Sequence, residues 1–121
     1  MALPVNTPSN EIVVGSMTMT DVSAPSSTYA ACPVRGTLVR AYSVLGGAIT
    51  GADCTWTVKV NSVACTGTAT IANASSAAGD VDSVQLTGPA TGVRQGDTIE
   101  FVSAGESSTT ATAHFYAVIR T

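Results

Sequence analysis

A chain of 121 residues with 18 Thr, 18 Ala and 15 Val but a single Lys and a single His is short of the side chains that transfer protons, bind metals or grip phosphates. Charged residues make up 11% of it, against roughly a quarter in an ordinary soluble domain. The net charge of −3 and the scattering of the basic residues (Arg35, Arg40, Lys59, Arg94 and Arg120) exclude the basic stripe that nucleic-acid binding needs.

Threonine and valine are β-branched and suit a pleated, half-buried surface better than a helix. One domain fits the length, and folding at this size buries roughly two-thirds of the surface of the unfolded chain. Large side chains are few, with four Leu, five Ile, two Phe, three Tyr and one Trp. A core filled mostly by Val and Ala is expected to be thin, as between two sheets, and to gain stability from contacts between copies. No stretch of about 18 apolar residues is present, so no membrane span is expected. Met1-Ala2-Leu3-Pro4 has neither a basic nor an apolar leader segment, and the three cysteines, Cys32, Cys54 and Cys65, are an odd number. Reduced thiols, in a chain made in a cytosol, are the expectation.

Residues 1–10 (MALPVNTPSN) carry prolines and asparagines without periodicity, and predict an extended N-terminal arm ahead of a single domain over 11–121. Residues 11–19 (EIVVGSMTM) predict a first strand, and 21–33 (DVSAPSSTYAACP) a long irregular connection of the kind often ordered by a partner. Over 35–45 a strand alternates Val39, Ala41, Ser43 and Leu45 with Leu38, Arg40, Tyr42 and Val44. Residues 54–60 alternate Cys54, Trp56, Val58 and Val60 with Thr55, Thr57 and Lys59, the mark of a strand buried on one side. Asn61-Ser62 then predicts a two-residue hairpin turn. In that register Val60 meets Val63, Val58 meets Cys65 and Cys54 meets Ala69, so Cys54 and Cys65 are not placed for a disulfide.

Short strands follow over 68–71, 81–86 and 98–102, the last with Ile99 and Phe101 inward and Glu100 outward. A final strand over 109–119 puts Ala111, Ala113, Phe115, Ala117 and Ile119 on one face. About eight short strands at these turn spacings predict an all-β sandwich or barrel.

Candidate chemistry is sparse. His114 shares a face with Thr112, Tyr116 and Val118, and no sequence signature supplies the nucleophile and orienting carboxylate that a general base needs; a surface or interface histidine is expected. The cysteines lack C-x-x-C spacing, and one histidine does not complete a usual zinc set. Asp53, Asp97 and the Asp80-Val81-Asp82 pair are oxygen ligands of the type calcium takes, but turn capping by aspartate is the favoured reading. Asn73-Ala74-Ser75 matches a glycosylation sequon, read as chance without an export signal. Trp56 and Tyr42 suggest a sugar platform, yet the alternation sends Trp56 inward as a buried anchor. No catalytic, metal or cofactor site is predicted, and the chain is not expected to be an enzyme.

Two segments carry a resemblance. Residues 47–53 (GAITGAD) lead into Thr55-Trp56-Thr57-Val58-Lys59-Val60-Asn61, and residues 93–100 read VRQGDTIE. Together they resemble small virion proteins of tailed bacteriophages, particularly capsid decoration or cement proteins with a jelly-roll fold, over about residues 34–121. Such modules usually carry Gly after the hairpin Asn, where this chain has Ser62. The resemblance implies no catalytic residue.

The expectation is therefore an all-β, jelly-roll-like antiparallel β-sandwich of about eight strands with an N-terminal arm. Its expected role is that of a non-enzymatic cement protein on the outer capsid surface of a virion, synthesised in the host cytoplasm. The partners expected are a phage major capsid protein and the chain itself, as homodimer or homotrimer. Shell contacts are placed in the arm, at Leu3, Pro4, Val5 and Asn6, and in the 29–35 loop, at Tyr29 and Arg35. The alternative is a receptor- or carbohydrate-binding module of a tail fibre or spike, with Tyr29, Tyr42 and Tyr116 clustered at a loop end.

Overall fold

The computed structural model describes residues 10–121. The expected arm contacts at Leu3, Pro4, Val5 and Asn6 lie outside the described residues. Ten strands and a short 3-10 turn follow one another. They are β1 (Glu11–Met19), β2 (Ser26–Ala31), β3 (Gly36–Leu45), β4 (Cys54–Val60), β5 (Val63–Ala64), β6 (Ala69–Ile71), β7 (Val81–Gln85), β8 (Gly92–Val93), β9 (Thr98–Ser103) and β10 (Ala113–Arg120). The turn is Pro89–Thr91.

One sheet runs β1-β10-β3-β7, with β8 also on β3; the other runs β2-β9-β4-β5, with β6 also on β4. All pairs are antiparallel, and successive strands cross repeatedly from sheet to sheet. This is the strand order of a jelly roll, two sheets packed face to face. The strand count exceeds the expected eight because a strand, β2, lies within the 21–33 stretch and because two residues, Gly92–Val93, pair with the start of β3 as β8.

Alternation along the strands decides what is buried. Cys54, Trp56, Val58 and Val60 of β4 are buried, and the intervening Thr55, Thr57 and Lys59 are half-buried on the outer side. On β10, Ala113, Phe115, Ala117 and Ile119 face in. The small alanines flanking Phe115 leave room for its ring to reach across the sheets. It meets Trp56 edge-on at 5.1 Å and stacks with Phe101 at 5.5 Å. Aromatic pairs of this geometry add about 0.5–1.5 kcal/mol beyond their burial. The indole N–H of Trp56 donates to Ser43 Oγ at 3.2 Å, so the one polar atom of the central ring is satisfied inside the core.

The hairpin after β4 forms as expected. Val60 pairs with Val63, and Asn61 and Ser62 take φ of 49° and 71°, both left-handed, as a type I′ turn requires. Asn61 fits that conformation and also accepts from the Thr98 N–H at 2.9 Å. Cys65 N–H donates to Val58 O at 2.9 Å, in the expected register. Beyond Cys65 the register changes: Trp56 pairs with Ala69 and Cys54 with Ile71, not with Ala69. The chain at Thr66-Gly67 leaves β4 to bridge Thr87, and two extra residues are taken up in the detour.

Three further expectations are corrected. The 21–33 stretch contains β2, paired with β9 from Ser26↔Ser103 to Ala31↔Thr98. Its inward residues are small (Ser26, Thr28, Ala30), so the alternation carries no hydrophobic signal. Leu38 faces in, not out with Arg40 and Tyr42, because a bulge at Val39 reverses the pattern: Arg40 pairs with Val118 but Leu38 with Ile119. The final strand begins at Ala113 rather than Thr109. Before it, Ala111 O and Thr112 O accept from Val22 and Gly46 in adjoining loops.

Candidate functional site

The charged side chains are largely engaged by the fold itself. Asp53 accepts from the Asn73 N–H, Asp80 from Ala77 N–H and Asp97 from Arg94 N–H, each at 2.9 Å. Asp21 accepts from Ser23 N–H at 2.9 Å and from Ala111 N–H at 3.3 Å. Asp53, Asp80 and Asp97 thus take the turn-capping roles expected of them, whereas Asp82 lies within β7 opposite Ser43 and caps no turn. Glu106 accepts from both the N–H and the hydroxyl of Thr55, and Glu100 from the Ser27 hydroxyl. Hydrogen bonds to Arg94 N–H and Asn61 hold the Asp97 carboxyl below its ordinary pKa, and the Arg120 guanidinium leads the same effect at Glu11, reinforced by Arg40.

The three cysteines are free and buried. Cys32, which its place before Pro33 would allow to be exposed, instead donates to Val34 O at 2.9 Å from the interior. Burial pushes the Cys32 and Cys65 thiols up, away from the reactive thiolate. Cys54 Sγ donates to Val22 O at 2.9 Å. His114 is exposed, and its hydrogen bond among the described residues joins Nδ1 to the Thr18 hydroxyl at 3.0 Å, not to a carboxylate.

The outer faces of the two sheets differ in kind. The outer face of β2-β9-β4 is polar, with Thr55, Thr57, Lys59, Glu100 and Ser27 around an exposed Tyr29. The outer face of β1-β10-β3-β7 is more apolar. Tyr42 and Tyr116, directly opposed on β3 and β10, stack with ring centroids 4.8 Å apart. Val118 is buried beside them, and Val13 and Val81 are each 59% exposed on the two edge strands. Glu11 closes one end of this face, accepting from Arg40 at 2.6 Å and Arg120 at 2.8 Å. The Arg40 Nε–H also donates to the Tyr42 hydroxyl at 2.9 Å.

The three tyrosines therefore do not cluster at a loop end. Two stack on one sheet face, and Tyr29 stands on the other sheet, on strand β2 rather than in a loop. Arg35, the other expected contact, sits just before β3 and lines an open cleft of about 400 Å³ with Arg94. A second cleft of about 300 Å³, lined by Val60, Val63, Pro89 and Ala90, shares Gly92 with the first. Sequence reasoning singled out Arg35 but not Arg94. Only the pairing of Gly36–Thr37 with Gly92–Val93 brings the two together, and two residues of strand carry no sequence signal.

Comparison with protein-family models, with characterised proteins and with solved structures finds no match to this chain.

Proposed function

We propose that this chain is a non-enzymatic structural protein of a phage virion, a decoration protein that binds the outer surface of the head and stabilises it. The observation that supports the reading best is the combination of a jelly-roll sandwich with carboxylates spent on the fold: four aspartates cap turns and Glu11 binds two arginines. Jelly rolls recur in viral capsid domains, where function lies in a presented surface. The resemblance over residues 34–121 points the same way. A surface repeated over a symmetric shell needs only modest affinity per copy, because linked copies act together. Homodimers or homotrimers fit two-fold and three-fold positions on such a shell.

Lectins also use jelly rolls, and the exposed ring of Tyr29 is the feature that favours a carbohydrate-binding module of a tail fibre or spike as the second reading. Gold-labelled antibody against the chain, applied to intact virions, separates the two. Label over the head is the expected result. Label confined to the tail, together with glycan-array binding that Tyr29→Ala abolishes, overturns the decoration reading in favour of the second. Particles without label overturn both.

A further inference from the structure

Arg35 and Arg94 form a like-charge pair built into the end of a sheet. The β3–β8 ladder ends with Gly36 opposite Val93, and Arg35 and Arg94, both exposed, flank that last pair and line one open cleft. Like charges gathered at one cleft repel each other. Two other arginines, Arg40 and Arg120, are each bonded to Glu11; neither Arg35 nor Arg94 has a salt bridge among the described residues. Asp97 is the near carboxylate; its Oδ2 accepts from the backbone N–H of Arg94, and the Arg94 charge adds to what holds its carboxyl low, without a salt bridge between the side chains.

Geometry makes this pair accessible. Gly92 is exposed beside Arg94, and as glycine it leaves a notch that continues into the cleft of Val60, Val63, Pro89 and Ala90, which Asn61 and Asp97 border. A groove thus runs from two guanidinium groups to a patch of aliphatic side chains, on a chain whose net charge is −3.

We propose that this groove takes an extended segment of a partner protein that places a carboxylate side chain between Arg35 and Arg94 and an apolar side chain over Val60 and Val63. Planar guanidinium forks match carboxylate oxygens in number and spacing. The inference deepens the reading of the chain as a surface-binding module and rests on it for the partner, the protein of the shell.

The test uses the full chain and two acetylated, amidated octapeptides, one alternating leucine with glutamate and the other leucine with glutamine, followed by amide chemical shifts. The glutamate peptide is expected to shift Arg35, Gly36, Gly92 and Arg94. Its affinity should fall about tenfold or more in the glutamine peptide and in the double variant Arg35→Gln/Arg94→Gln, and should weaken with salt. Equal affinity for the two peptides, shifts confined to the Tyr42 and Tyr116 face, or inorganic phosphate binding as tightly as the peptide would each overturn the proposal. Thermal melts of the single variants give an independent check: relief of the like-charge pair should leave the melting temperature unchanged or higher, and a marked fall would show that the arginines hold the fold instead. Head labelling with no peptide binding defeats the groove alone; peptide binding with no head labelling defeats the virion reading alone.

Discussion

Thr66 and Thr87 exchange both of their backbone hydrogen bonds, at 2.9 and 3.1 Å, and so join the rim of one sheet to the rim of the other. Edges left open invite pairing with other chains, and this bridge covers part of one edge. It is possible because Gly67 lies directly over β7. A Cβ there would sit 2.6 Å from Gln85 O and 2.9 Å from Val84 Cγ2, at a φ of +135°. Gly67→Ala should therefore destabilise by about 2–4 kcal/mol in urea unfolding. A loss within experimental error would mean that the bridge is dispensable.

The hairpin at Asn61-Ser62 carries a smaller, opposite opportunity. Ser62 holds a φ of 71°, which costs an L-residue about 1–2 kcal/mol and costs glycine nothing. Some of that gain is lost to the greater freedom of glycine in the unfolded chain. Ser62→Gly should raise stability by roughly 0.5 kcal/mol, read as a higher urea midpoint with an unchanged slope.

Asp82 is the carboxylate whose charge the fold tolerates least. It pairs with Ser43 on the inward side of β7, where burial first and the Asp80 charge second raise its pKa above the ordinary 3.8. The folded state then binds that proton more tightly than the unfolded state does, so ionisation destabilises the protein above the raised value. Asp82→Asn should accordingly be more stable than the parent at pH 7, with the difference shrinking as pH falls through the raised value and below 3.8. Glu11 and Asp97 act with the other sign: their lowered values contribute stability at neutral pH that is lost as acid protonates them. Thermal melts of parent and variant across this range check the crossover, and a constant offset at every pH would contradict it.

Burial also makes a chemical prediction. With Cys32, Cys54 and Cys65 all buried and two of them raised in pKa, an aromatic disulfide reagent at pH 8 should label the native protein only at the rate of its unfolding. All three thiols should react at once in denaturant. Rapid native labelling of Cys32 would place it at the surface.

The parts of the fold legible in the sequence are those where side-chain size alternates. β4 and β1 have the predicted bounds, because Cys54-Thr55-Trp56-Thr57 and Glu11-Ile12-Val13-Val14 contrast large apolar residues with polar ones or enter the sheet without a break. β2 was illegible because Ser, Thr and Ala look alike on both faces of a strand. Leu38 changes face and Cys54 changes partner for related reasons: the bulge at Val39 and the detour at Thr66-Gly67 insert residues without changing composition, so a pattern read past the first inverts and one read past the second slips. The Arg35–Arg94 pair was hidden for a third reason, since strands far apart in sequence meet there over two residues.

The position of β10 has a consequence for how the molecule comes into being. It lies between β1 and β3, pairing Val13 with Val118 on one side and Tyr42 with Tyr116 on the other, yet it is synthesised long after both. Until Arg120 has left the ribosome, β1 and β3 have no shared neighbour, and the aromatic cluster lacks Phe115. Contacts spanning most of the chain make for slow folding, because the loop must close before any pairing rewards it. The nascent chain thus waits with the facing edges of β1 and β3 unpaired, and the sheet is completed only once β10 has emerged.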